Sequence, residues 1–220
     1  HLTVDGRYQR GKWAMPRPLL GDGAVASTAE DLVLWFRALS EGRFSSGHIL
    51  RLAASPDRLN DELPIPYAFG WAIHELHGTR IVEHGGNLGG FRSHFLWVPR
   101  LDLFIAVLTS AQDDRPPPSY LALQIASFAL GFPELVREAS VTKAELQQYV
   151  GAYRSRSGAV RTISLEEEGL VCRKKGSAKN HQLVPTGEGE FLVRDSMTKI
   201  QFHMRGGKKA QDLTISRGYG

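Results

Sequence analysis

The chain has 220 residues, of which 42% are hydrophobic and 23% charged, with 23 Gly and 11 Pro. This length allows one domain or one and a half, and the composition excludes a disordered chain, a collagen-like repeat and a coiled coil. The formal net charge of +4 is concentrated from Gly151 onward, but no zinc-finger, helix-turn-helix or RRM signature accompanies it, so we expect solvated strand faces and no nucleic-acid partner.

Residues 1–22 show little hydrophobic periodicity and predict an irregular surface segment. They contain no initiator Met, basic n-region or apolar h-region, so we expect the chain to be a fragment whose targeting signal, if the parent protein has one, lies upstream. The compartment is therefore not predicted. No apolar run approaches the roughly 20 residues of a membrane span, and the single cysteine, Cys172, excludes an internal disulfide.

The first predicted helix begins near Ser27, because Glu30 three residues later completes a capping-box pattern. Gly42 suits its C-terminal stop. Apolar residues at helical spacing predict one buried stripe on this helix: Leu32, Trp35, Phe36 and Leu39. A short second helix is expected over residues 47–54.

A sheet is predicted next in the chain. Bulky and small residues alternate over residues 67–74, which predicts one strand, and a short strand is expected over residues 80–83. After a glycine cluster, two further strands and a turn between them complete an antiparallel meander: residues 91–98, 99–102 and 103–109. Following the loop at residues 113–118, a helix over residues 119–130 is expected to pack on this sheet, so the predicted fold class is α+β.

The last third of the chain predicts a small antiparallel β-barrel. Residues 134–142 link to a short helix at residues 143–149, after which short strands recur about every ten residues. The expected strands are residues 151–154, 160–166, 169–174, 180–184, 190–194, 199–204 and 210–216. The predicted domains are residues 1–133, a linker with a short helix at residues 134–150, and the barrel at residues 151–220.

The glycine cluster is the strongest candidate for chemistry. Four glycines lie between Gly85 and Gly90, directly after His84 and between two predicted strands. A strand edge without side chains can pair with a peptide-like substrate or direct N–H groups at an oxyanion. A tight glycine-rich turn without a ligand is the alternative. A dinucleotide or phosphate loop is excluded because the following element is a strand, not a helix.

Other chemical motifs are weak. His74 and His77 are one residue too close for a His-Glu-x-x-His zinc motif, and His94 is expected to be a strand surface residue. No Gly-x-Ser-x-Gly elbow is present. We therefore expect no metal and no cofactor.

Three motifs in order carry a family resemblance: residues 23–32 (GAVASTAEDL), residues 67–71 (YAFGW), and His84-Gly85-Gly86 with Gly89-Gly90-Phe91. Together they resemble the C-terminal half of the serine β-lactamase-like family, which includes class C β-lactamases, D-Ala-D-Ala carboxypeptidases, D-aminopeptidases and esterases. The match covers about residues 5–130. Residues 143–153 also resemble the entrance to the lipocalin-like barrel that many members carry.

The resemblance implies roles for four residues. His84-Gly85-Gly86 would take the place of the family's Lys-Thr-Gly motif on the strand that lines the active site. His84 would orient substrate or relay a proton, and Gly85 and Gly86 would let substrate lie against the strand. The backbone N–H of Asn87 would form half of the oxyanion hole.

The resemblance also implies a nucleophile motif, Ser-x-x-Lys, upstream of every motif named above, and this chain does not contain it there. Two such strings occur, at Ser140–Lys143 and Ser196–Lys199, but both follow the His84 strand, whereas the family order requires them before it. The family's Tyr-x-Asn/Ser motif is likewise missing from a suitable place. We therefore expect this chain to be inactive alone.

The parent protein is expected to be a serine hydrolase that acts by acyl transfer through a seryl intermediate. Its substrate would be a β-lactam, a D-amino-acid peptide or a small ester. The alternative is a non-catalytic module that binds a ligand or peptide. Because half of such a domain leaves apolar strands uncovered, we also expect association with the missing N-terminal half or with a second copy.

Overall fold

The computed structural model describes residues 2–4, 7–9, 21, 23, 25–44, 49–111, 116–133, 137–154, 158–177, 179–196, 198–204, 206 and 209–217. The chain divides into two compact units, one within His1–Pro133 and one within Glu134–Gly218. Most of the N-terminal segment and residues 113–115 of the predicted loop lie outside the described residues. The described part of that N-terminal segment is not irregular, because β1 (Leu2–Val4) pairs antiparallel with β2 (Arg7–Gln9).

Within the described residues, the first unit combines three α-helices with a five-stranded sheet and, besides the β1–β2 pair, a second two-stranded ribbon. The helices are α1 (Ala29–Ser40), α2 (Ile49–Ala53) and α3 (Pro118–Ala129). The ribbon pairs β3 (Asp57–Arg58) with β4 (Pro64–Ile65). The sheet contains β5 (Tyr67–Ala68), β6 (Trp71–Leu76), β7 (Thr79–Leu88), β8 (Phe91–Val98) and β9 (Leu103–Thr109), paired antiparallel in chain order.

Helix α1 begins one residue later than predicted. Thr28, not Ser27, is the N-cap, and its hydroxyl accepts a hydrogen bond from the Asp31 N–H at 3.1 Å. Of the predicted apolar stripe, only Phe36 is buried, whereas Trp35 is 42% exposed. The described residues therefore cover only part of the apolar surface of this helix.

The prediction of a single strand over residues 67–74 was wrong. Phe69 and Gly70 both have positive φ angles, 48° and 87°, and they reverse the chain so that β5 folds back on β6. Two residues with positive φ suit the tight turn of a hairpin. The following strand is longer than expected, because β7 continues through Gly85 and Gly86 to Leu88.

Side chains alternate between two faces of the sheet. We call the face that carries His84 and Trp97 the front face, and the face that carries Glu83 and Leu96 the back face. Phe36 of α1 stacks on Phe104 at 4.2 Å and meets Trp97 edge-on, which places α1 on the front face. Because Leu96 is fully buried and α3 contacts β8 and β9, we place α3 on the back face.

The second unit is a nearly closed antiparallel sheet, which confirms the predicted barrel-like fold class. It starts with α4 (Lys143–Leu146) and a 3-10 turn (Gln147–Tyr149). Seven strands follow in chain order: β10 (Gly151–Arg154), β11 (Val160–Glu166), β12 (Gly169–Lys174), β13 (Asn180–Gly187), β14 (Glu190–Val193), β15 (Thr198–Met204) and β16 (Ala210–Arg217). The first and last of these strands approach each other.

A capping box starts α4. The Thr142 hydroxyl accepts from the Glu145 N–H at 3.3 Å, and the Glu145 carboxylate accepts from the Thr142 N–H at 2.8 Å. A hydrogen bond from the Thr142 hydroxyl at 2.6 Å, together with the one from the Thr142 N–H, holds the pKa of Glu145 below its ordinary value. The reciprocal pair satisfies backbone donors that the first helical turn would otherwise leave free.

An aromatic cluster fills the barrel interior. Tyr149 meets Phe191 and Phe202 with ring centroids 5.0 and 4.8 Å away, and Tyr153 meets Phe202 at 5.4 Å. The Tyr153 hydroxyl donates to the Tyr149 carbonyl at 2.7 Å. Burial raises the pKa of Tyr153 to about 12, so the folded barrel favours the neutral phenol.

Replacing Tyr153 with Phe should reduce the loss of stability at alkaline pH. An unfolded tyrosine ionises near pH 10, whereas folded Tyr153 keeps its proton until about pH 12. Stability therefore falls between these values, by about 2 kcal/mol for this one group. Tyr153→Phe should remove that part of the slope and cost about 1 kcal/mol at neutral pH for the lost hydrogen bond.

Urea unfolding followed by circular dichroism at pH 8 and pH 11 tests this expectation. Tyr67→Phe is the matched control, because Tyr67 is 41% exposed and lies in the first unit. An alkaline slope that is the same in Tyr153→Phe and the unsubstituted chain would contradict the prediction.

Candidate functional site

The second half of β7 is a strand with one open edge. On one side, β6 pairs with β7 only as far as Glu83, opposite Ala72. On the other side, β8 pairs with β7 as far as Leu88. Within the described residues, the backbone of residues 84–88 is therefore unpaired on the β6 side, and residues 84–87 are exposed. Such an edge presents N–H and C=O groups that can pair with another extended chain.

His84 stands at the start of this open edge. Its Nε2 lies 3.1 Å from the hydroxyl of Tyr67, and the two rings are 6.1 Å apart in an edge-on arrangement. A hydrogen bond at this distance restricts rotation of the imidazole. Tyr67 belongs to the same sequence motif as Phe69 and Gly70. Its hydrogen bond to His84 was not predicted from the sequence, because the two residues are 17 positions apart.

The two glycines after His84 face opposite sides of the sheet. A Cβ atom on Gly86 would lie 2.5 Å from the Ser93 hydroxyl oxygen, on the front face that also carries His84. A Cβ atom on Gly85 would lie 3.2 Å from Nδ1 of His94, on the back face. Gly86 thus leaves room on the His84 side, whereas Gly85 leaves room for a histidine behind the strand.

Asn87 is exposed and lies opposite Arg92 in the β7–β8 ladder. The turn that follows uses Gly89 and Gly90, with φ angles of 59° and 89°. Positive φ at both positions is what a two-residue hairpin turn requires. The structure thus separates the glycine cluster into strand residues that line the edge and turn residues that reverse the chain.

A buried ionisable cluster lies on the back face directly behind this site. Glu83 Oε2 is 2.9 Å from His94 Nε2, and Glu83 Oε1 is 3.6 Å from His74 Nε2. Glu83 is 4% exposed and His94 7%. A carboxylate shielded from water to this degree is destabilising unless a charge or hydrogen bonds compensate it, and the two imidazoles provide such partners.

The prediction that His94 is a surface residue was therefore wrong. His94 lies on the same face of β8 as Leu96 and Val98, which are both fully buried. This period of two was visible in the sequence. The sequence did not show that an acidic side chain on β7 contacts this histidine and compensates for its burial.

The remaining candidates lie in the second unit. The Ser196 hydroxyl donates to Thr198 and accepts from its N–H, and the Lys199 ammonium lies 3.8 Å from Glu190. The Ser196 contacts are those of a turn, and the Lys199 contact is an ion pair between two neighbouring strands. Cys172 is buried, and burial raises the pKa of its thiol, which is typical of an unreactive core cysteine.

Three further observations cover the described part of the chain. It contains no group of three or more His, Cys, Asp or Glu side chains arranged to hold a metal ion. None of its helices is both long and apolar enough to cross a bilayer. A cavity of about 200 Å³ lies between β10 and β16 of the second unit.

Comparison with known proteins identifies relatives of the chain. The sequence model of the family described as Beta-lactamase matches residues 2–130. Penicillin-binding protein 4* of Bacillus subtilis (strain 168) is 27% identical over 190 residues, covering 83% of this chain and 42% of that protein. D-aminopeptidase of Gluconobacter oxydans (strain 621H) is 31% identical over 113 residues, covering 51% of this chain and 21% of the enzyme.

Two further proteins are similar to this chain. D-aminopeptidase of Brucella ovis is 33% identical over 114 residues, covering 52% of this chain and 21% of that protein. A solved structure, the octameric penicillin-binding protein homologue from Pyrococcus abyssi, is 22% identical with a TM-score of 0.44, covering 87% of this chain and 46% of the other. The chain thus spans less than half the length of each of these relatives.

The substitution Gly85→Ala should lower the free energy of unfolding more than Gly86→Ala does. At Gly85 the new methyl group meets the His94 ring, which Glu83 holds through its other nitrogen, so we expect a loss of about 1–3 kcal/mol. At Gly86 the methyl group meets the Ser93 hydroxyl, which can rotate to another rotamer. There the gain from replacing a strand glycine, about 0.5–1 kcal/mol, should offset most of the cost.

Urea unfolding midpoints of the two variants provide the measurement, with each variant serving as the control for the other. Equal losses, or a larger loss for Gly86→Ala, would contradict the back-face position of His94.

Proposed function

The chain belongs to the beta-lactamase family, and we propose that it supplies the substrate-binding strand of a serine hydrolase that acts by acyl transfer. The observation that carries this proposal is the open edge of β7 at residues 84–88, with His84 at its start. The edge offers backbone groups for an extended substrate and a titratable side chain at one end. This combination suits recognition of a peptide-like carbonyl compound.

In the proposed reaction, a serine hydroxyl attacks the substrate carbonyl carbon and forms an acyl-enzyme, and the leaving group departs with a proton. Water then hydrolyses the ester and releases the free serine. His84, held by the Tyr67 hydroxyl, would orient the substrate or relay a proton at its imidazole. Gly86 would let the substrate approach the strand, and the Asn87 N–H would donate to the oxyanion.

The nucleophile is proposed to come from a part of the protein that precedes this chain. Exposed apolar side chains of the first unit support an additional covering segment: Phe69 is 77% exposed, Phe91 52% and Leu34 61%. A preceding segment packed on the front face would cover these groups; in the isolated chain, a second copy could do so.

We propose a small carbonyl substrate, either a D-amino-acid peptide, a β-lactam or an ester. D-aminopeptidases and a penicillin-binding protein among the relatives support this range. The open strand edge favours the peptide, because an extended peptide can pair with β7 through its backbone, whereas a small ester offers fewer such groups.

The isolated 220-residue chain should form no covalent adduct with a fluorophosphonate or a β-lactam. Neither reagent should react because the activated serine is absent, and the Ser196 hydroxyl is engaged in a turn with Thr198. Intact-mass spectrometry after incubation with each reagent provides the measurement. The longer parent protein is the positive control; it should gain the mass of the fluorophosphonate less HF, because fluoride leaves, or the full mass of the β-lactam, because its ring opens without losing an atom. A stoichiometric adduct on the isolated chain would contradict the proposal, and peptide mapping would then show whether Ser140 or Ser196 carries it.

In the longer protein, His84→Ala should lower kcat/KM by about 100-fold, as expected for loss of a proton-transfer group. Tyr67→Phe should lower it by about fivefold, because one hydrogen bond to His84 is lost. Tyr153→Phe is the matched control, since it removes a hydroxyl that bonds only within the barrel. Steady-state hydrolysis of a D-amino-acid p-nitroanilide provides the rates. Unchanged turnover in His84→Ala would reject the assigned role of His84.

A further inference from the structure

The buried cluster of Glu83, His74 and His94 is not part of the proposed chemistry, yet it lies directly behind the site. The three side chains come from adjacent strands, β7, β6 and β8, and share the back face. His94 is held at 2.9 Å and His74 at 3.6 Å from the Glu83 carboxylate. The cluster therefore joins three strands at the level where the open edge of β7 begins.

His94 connects this cluster to the glycine segment. Its Nε2 faces Glu83, whereas its Nδ1 lies 3.2 Å from the position that a Cβ atom of Gly85 would occupy. The imidazole therefore fills the side-chain space that Gly85 leaves empty. Glu83 and Gly85 flank His84 in the sequence and lie on the face opposite to it, so one acid and one ring support the backbone on either side of His84.

Apart from its antiparallel pairing with β8, the glycine segment has few other restraints. Gly85 and Gly86 have no side chains to pack, and within the described residues β6 does not pair with this part of β7. Hydrophobic contact alone is non-directional, whereas a hydrogen bond restricts both distance and angle. A buried acid–histidine pair can also be replaced by apolar residues without loss of stability, so global stability does not by itself account for its presence here.

We propose that Glu83 and His94 are positioning residues that hold residues 85–87 of β7 in the extended conformation required to receive a substrate. The substrate part of this inference rests on the proposed function. The restraint on the strand is a property of the 220-residue chain alone and can be measured without any activity.

Amide hydrogen exchange of the 220-residue chain, followed by mass spectrometry, tests the restraint. The key variant is the double substitution Glu83→Leu with His94→Leu, which removes the pair without leaving a buried charge. Exchange in peptides that cover residues 84–88 should rise by about tenfold, while the urea midpoint stays at or above that of the unsubstituted chain. Exchange in β10–β16 should not change.

Glu83→Gln and Glu75→Gln form a matched pair of single variants. Glu83→Gln converts the carboxylate that contacts His94 into an amide and should also speed exchange at residues 84–88, whereas Glu75 is exposed on β6 and its substitution should have no effect there. Unchanged exchange at residues 84–88 in both the double variant and Glu83→Gln would overturn the inference. So would faster exchange that merely parallels a loss of global stability, because that result indicates a structural role only.

Kinetics of the longer protein separate this inference from the proposed function. The double variant should lower kcat by about tenfold or more through misplacement of the strand, with KM changed less than twofold. If His84→Ala retains full turnover, the proposed function fails, while the exchange result still decides the positioning role. If His84→Ala is inactive but the double variant has native kcat and native exchange, only the positioning role is rejected.

Discussion

The register between β7 and β8 is the constraint on which both faces of the sheet depend. It sets Gly85 opposite His94 and Gly86 opposite Ser93, so each glycine leaves space for a different neighbour. A slip of one residue would exchange the two faces: His84 would turn towards the buried back face, and Glu83 would turn away from its histidine partners. Burial of Leu96 and Val98 on the back face of β8 makes such a slip costly, because it would move them to the less buried front face.

Glycine thus has two separate uses within one short segment. Gly89 and Gly90 are required by their positive φ angles in the turn. Gly85 and Gly86 lie in extended strand, where any residue is sterically allowed by its backbone, and their value is the side-chain volume that they do not fill. A single explanation of the cluster as a flexible turn would overlook that half of it is ordered strand paired to β8.

Local patterns predicted most of the fold. The barrel strands were found because each short alternating run ends at a turn, several of which contain a glycine with positive φ, such as Gly176 and Gly189. The β5–β6 hairpin was missed because a phenylalanine, Phe69, takes the positive φ angle at which glycine or asparagine is expected. An alternation of bulky and small residues continues across this turn, so periodicity alone could not divide the two strands.

The candidate site could be predicted only where its members are neighbours in sequence. His84, Gly85, Gly86 and Asn87 were predicted together as candidates from one motif. Tyr67 and His94 reach this segment from other strands, and their roles follow from the hairpin of β5 on β6 and from the β7–β8 register. Pairing over such separations is set by tertiary packing, which a single sequence does not display.

The open edge of β7 also restricts which roles residues 84–88 can have. Proteins normally protect exposed strand edges with lysine, proline, a bulge or a covering element, and residues 84–88 contain neither lysine nor proline. The strand is nevertheless ordered by β8 on one side and supported behind Gly85 by His94. An edge that is both ordered and unprotected favours pairing with another extended chain. The substrate proposed above would satisfy this condition, because it would cover the edge only when bound and leave the strand accessible to the next molecule.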